Sequence, residues 1–84
     1  MTNAYTHLTE ALRIKNLILD GKSNETPRRA WVSVARECAK AEYAMRETMA
    51  ATNSTRCPSY FWNTLDRVQW YARAQVETLT RAAA

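Results

Sequence analysis

From Pro58 to Ala84 the chain has no glycine and no internal proline, and its apolar residues fall on a strict helical period. Phe61, Leu65, Val68, Ala72, Val76 and Leu79 recur every three or four residues. At 100° per residue they form one stripe along a single α-helix. A strand would alternate every second residue, and a loop would carry turn residues. This segment does neither, so a long amphipathic helix is the starting constraint on the fold.

Trp70 breaks the pattern. It projects roughly opposite the stripe, among Asp66, Arg67, Arg73 and Glu77. A large aromatic on a charged helix face is expected to be covered by something else. Trp62, at the edge of the stripe, is expected to be mostly buried, as is Trp31.

The rest of the chain is punctuated in the same style. Gly21 follows an apolar-periodic segment and reads as a helix stop. Thr26-Pro27 reads as an N-cap followed by proline at the first helical position. Asn53 suits the end of a second helix, and Cys57-Pro58 starts a third. The expected helices run from roughly 4–20, 27–52 and 58–82. Loops this short join antiparallel neighbours. The expectation is an all-α fold, a small antiparallel three-helix bundle in one domain, with helices 2 and 3 forming a long helical hairpin. With 84 residues the core is small.

The second helix carries a stripe of Trp31, Val34, Ala35, Cys38, Ala41, Met45 and Met49. In the first, Leu8, Ala11, Leu12, Ile18 and Leu19 share a face, whereas Ile14 and Leu17 point away from it. A short helix that is apolar nearly all round is sandwiched or covered by a partner. The predicted core is Leu8, Leu12, Trp31, Val34, Met45, Phe61, Leu65, Val68 and Leu79. Lys15 and Glu42 lie on apolar faces. They either reach water from the stripe edges or pair across helices 1 and 2 and set their register.

Catalytic chemistry finds little support. His7 is the lone histidine, and the single glycine rules out a glycine-rich phosphate loop. One histidine and two cysteines do not assemble a four-ligand zinc site unless distant carboxylates join them. No enzyme activity, cofactor or metal is expected. Cys38 and Cys57 fall about fourteen residues apart in level along the hairpin, or ~20 Å. A disulfide needs Cα atoms within ~7 Å, so both thiols should be free, which fits a reducing, cytoplasmic location. The sequence shows neither a signal-peptide pattern nor a membrane span.

The net charge is +4, with nine Arg and three Lys. Arginine suits bidentate contact with carboxylate or phosphate. Arg29, Arg36 and Lys40 share the outer face of the second helix with Tyr43. The expected function is a non-catalytic protein–protein interaction module that occludes a partner with an acidic surface. In general character it resembles the small accessory or inhibitor proteins of phages and mobile elements, although no motif carries that likeness. The expected contacts are Trp70, Arg67 and Arg73 first, then Arg29, Arg36, Lys40 and Tyr43. Nucleic-acid binding through the basic strip is the alternative. Against it, helices of about 25 residues are too long for a helix-turn-helix module. A structural homo-oligomer burying Trp70 is the third reading.

Overall fold

A computed structural model describes residues 3–52 and 59–83. The chain is all-α, a small three-helix bundle: α1 (Ala4–Leu19), α2 (Pro27–Ala51) and α3 (Ser59–Ala83). The expected stop at Asn53 and the expected start at Cys57-Pro58 lie outside the described residues, as does the thiol of Cys57. Cys38 is a free, buried thiol.

The local chemistry accounts for the boundaries. Asn3 caps α1, its Oδ1 accepting from the Thr6 backbone N–H at 2.9 Å and so pairing one of the orphan donors of the first turn. At the other end Gly21 takes φ +72°. Its N–H donates to the Ile18 carbonyl at 3.1 Å, and that of Lys22 reaches the Leu17 carbonyl at 2.8 Å. This pair of bonds defines a Schellman stop, in which glycine carries the left-handed residue without steric cost. Pro27 opens α2 at its first position, where its missing N–H costs nothing.

Side-chain contacts set the directions. His7 Nδ1 meets Glu37 Oε2 at 2.8 Å between α1 and α2. Arg28 Nε donates to Thr80 Oγ1 at 3.0 Å, and the Arg46 guanidinium lies 5.3 Å from the centroid of the Trp62 ring. These two contacts pair the start of α2 with the end of α3, and the end of α2 with its start. The α2–α3 hairpin is therefore antiparallel. Tyr5 lies edge-on to Phe61 at 5.2 Å, so α1 and α3 run in the same sense. Of the two, α1 packs chiefly on α2 and only lightly on α3.

The core joins all three helices. Phe61, Leu65, Val34 and Cys38 are fully enclosed, with Leu8, Trp31, Met45 and Val68 around them. Ala11, Ala41 and Ala72 are also fully buried. Small side chains at these points let the helix axes approach closely. Leu12 and Leu79, expected in the core, pack against it only partly buried.

Two placements on α1 need correction. Leu19 was assigned to the inner face of α1 but is 60% exposed, because α1 ends there and the chain turns away. Ile14, assigned outward, packs against the core. Of the two readings of Lys15 and Glu42 the pairing does not form: Glu42 Oε1 accepts from Arg46 at 3.2 Å, within α2, and both residues are half-buried, in keeping with positions at the stripe edges. The His7–Glu37 contact explains why. It places Lys15 near the level of residue 29, about thirteen residues or ~20 Å from Glu42. His7 itself is a partly buried link between helices.

Trp62 packs against the core, and its buried Nε1 has no hydrogen-bond partner among the described residues. An orphaned donor costs about 1–3 kcal/mol of desolvation. Trp62→Phe removes it together with some ring area. The two effects oppose each other, so urea unfolding should register a change below ~1 kcal/mol. A loss of several kcal/mol would show that the indole N–H is satisfied.

Candidate docking surface

The inward phase of α3 fixes the outward direction of Trp70. Val68 and Ala72 are buried on either side of it in sequence. A residue two positions from each projects about 200° away. Trp70 is 73% exposed, as the periodicity predicts.

The structure adds what surrounds it. On one side a groove of about 310 Å³ runs between α1 and α3, lined by Lys15, Leu19, Arg67, Val68, Trp70 and Tyr71. It exists because α1 leans on α2 and leaves its seam with α3 thinly packed. Val68 comes from the core cluster, and Leu19 closes the α1 side at the helix end. Tyr71 is braced from behind by Trp31, ring edge to ring face at 5.2 Å, so this wall is anchored in the core. On the other side of Trp70 lies a shallow depression over Asp66, Gln69, Arg73, Ala74 and Glu77. Trp70 is the ridge between the two.

The electrostatics of the two sides differ. The groove contains no acidic residue, and neither Lys15 nor Arg67 has an ion-pair partner among the described residues. The depression mixes signs. There Glu77 closes on Arg81 at 2.6 Å, one helical turn further along α3. Arg73 lies close enough to Cys38 to favour its thiolate, although burial outweighs that and pushes the thiol up to about 11.

The basic strip of α2 forms a second, separate patch. Arg36, Lys40 and Tyr43 line one shallow depression with His7, Ala44 and Glu47, and it shares no residue with the α1–α3 groove. Arg29, two helical turns toward the N-terminus, is exposed and outside this depression. Acids run through the strip. Lys40 Nζ reaches Glu37 at 3.4 Å, and a hydrogen bond to Glu47 raises the pKa of the Tyr43 phenol. Its positive field is correspondingly diluted.

Of the predicted contacts, then, Trp70 and Arg67 meet in one groove, Arg73 lies across the ridge, and the α2 set stands apart. Sequence reasoning missed Leu19, Tyr71 and Lys15 as members of the groove. Leu19 carried a signal, being a leucine one residue before a polar helix stop. Tyr71 carried none, since only the tertiary arrangement brings α1 beside it.

Among the described residues no group of three His, Cys, Asp or Glu side chains could hold a metal ion. No helix there is long and apolar enough to cross a membrane. Comparison with protein-family models, with curated proteins and with solved structures finds no match to this chain.

Proposed function

We propose that this protein is a non-catalytic interaction module. It binds another protein through the Trp70 surface and occludes it, as a small inhibitor or accessory protein would. The observation that carries this reading is the exposure of Trp70 beside Leu19 and Tyr71, with Lys15 and Arg67 at the rim. A helical domain this small has little apolar surface to spare. Leaving an indole in water forgoes burial worth about 2–3 kcal/mol. Interface anchors are enriched in Trp, Tyr and Arg, and all three types meet here. The unpaired cations favour an acidic partner surface. The α2 strip of Arg29, Arg36, Lys40 and Tyr43 is the secondary contact, weakened by Glu37 and Glu47.

The test is Trp70→Ala. Because the side chain leaves the core untouched, the melting temperature should shift by the equivalent of well under ~1 kcal/mol. Capture of an identified protein from a lysate of the native host should drop at least about tenfold, or ~1.4 kcal/mol. A variant that unfolds would make Trp70 a stabilising residue, and one that still binds fully would remove it from the interface. Two further measurements address the other readings. Light scattering that finds a dimer dissociated by Trp70→Ala would mark self-association. A steep negative dependence of nucleic-acid affinity on salt would mark phosphate contacts.

A further inference from the structure

We infer that the α1–α3 groove takes a single α-helix of the partner, apolar along one face and flanked by aspartate or glutamate; this rests on the interaction reading above. Three observations carry it.

The first is where the exposed apolar residues lie. Tyr5 and Leu19 are on α1, and Tyr60, Trp70 and Tyr71 are on α3; Tyr43 alone is on α2. The helices with surplus apolar surface are the two whose mutual seam is thin. A rod laid along that seam would cover Leu19, Trp70 and Tyr71 together, as a fourth helix does in a bundle.

The second is the backbone. The groove walls are helical, and a helix interior offers its N–H and C=O groups to itself. An extended peptide in this groove would bury unpaired main-chain groups against Leu19, Val68 and Trp70. No strand edge exists among the described residues to receive them. A helix brings its own hydrogen bonds and presents only side chains, the helix-in-groove mode of recognition.

The third is charge. Lys15 and Arg67 rim the groove without an ion-pair partner among the described residues, and no acid is among the lining residues. Acidic flanks on the incoming helix complement both. A second copy of this chain matches the rim less well, since its own Trp70 face sets Arg67 and Arg73 against Asp66 and Glu77 and carries no acidic excess. Nucleic acid fits less well, because the lining is mainly apolar and supplies two cations where a backbone track needs a series.

The probe is a displayed library of fully randomised peptides of about 18 residues, ~27 Å as helix, selected on the intact protein. Enriched binders should show apolar residues at i, i+3, i+4 and i+7 with Asp or Glu beside them. Their affinity should fall at least tenfold on Trp70→Ala. Selection on Arg67→Glu, an exposed position that circular dichroism can verify as folded, should move the flanks toward Lys and Arg. The inference is overturned by any of four results. These are an absence of enrichment, binders without helical periodicity, flanks that ignore the Arg67→Glu swap, and displacement of the binders from the groove by an oligothymidylate. If the captured partner still depends on Trp70 while the library fails, the surface docks something other than a helix. That would sink this inference and leave the interaction reading standing.

Discussion

Phe61→Ala should destabilise the protein by about 3–5 kcal/mol, the range for emptying a fully buried aromatic site. Phe61 is fully enclosed near the start of α3. Its ring meets Tyr5 edge-on at 5.2 Å and Trp62 at 5.3 Å, so the substitution removes two aromatic contacts as well as volume. Neighbours can collapse only partly into such a space, since they come from α1 and α3 at once. Domains of this size hold about 5–15 kcal/mol in total, and each kcal/mol moves the melting temperature by about 4–8 °C. A drop of at least ~12 °C in thermal unfolding is expected. Leu79→Ala is the control. Leu79 packs at the core margin and is partly exposed, so it should cost well under half as much. Equal losses at the two positions would contradict the packing gradient along α3.

That gradient shows what periodicity reveals and what it does not. Apolar spacing gives azimuth, the side of a helix on which a residue lies. Azimuth was legible throughout α3, where Phe61, Leu65 and Val68 turn in and Trp70 turns out. Helix ends were legible too, because Gly21 and Pro27 have backbone chemistry that works in few other places. Axial level is a different quantity. The stripe on α1 and the stripe on α2 can slide past one another without changing either pattern. The register follows from specific contacts such as His7 with Glu37. For this reason the pattern alone leaves a Lys15–Glu42 pairing open, and it does not show the His7–Glu37 link.

The groove was illegible for a related reason. It arises from the packing of α1 chiefly on α2 and only lightly on α3. No local pattern in α3 announces that Tyr71 will face Leu19. Of the groove residues, Trp70 and its helical neighbour Arg67 could be found from the phase of α3, and Leu19 carried only the weaker signal of its helix stop.

The second large effect concerns pH. Cys38 is fully buried, and that burial pushes its thiol from an ordinary 9.0 up to about 11, against a smaller opposing pull from Arg73. Desolvation penalises the charged form, and for a thiol the charged form is the deprotonated one. The folded protein therefore keeps this proton to higher pH than the unfolded chain does. Between the two values the unfolded state binds fewer protons, so stability falls as pH rises. The contribution is whole below pH ~9 and gone above ~11. Two units correspond to ~2.7 kcal/mol at most. The Tyr43 phenol, raised by its bond to Glu47, acts in the same direction at the surface, so absolute stability alone does not isolate the thiol. The comparison that does is Cys38→Ala against the parent, both carrying Cys57→Ser, in urea titrations from pH 8 to about 11.5. Cys38→Ala should be less stable at pH 8, because it leaves a small cavity. It should lose less stability as pH rises, and the two curves should converge by roughly 2 kcal/mol at the alkaline end. Parallel curves would mean that the Cys38 thiolate forms readily in the folded state, and that this part of the α2–α3 interface opens to water.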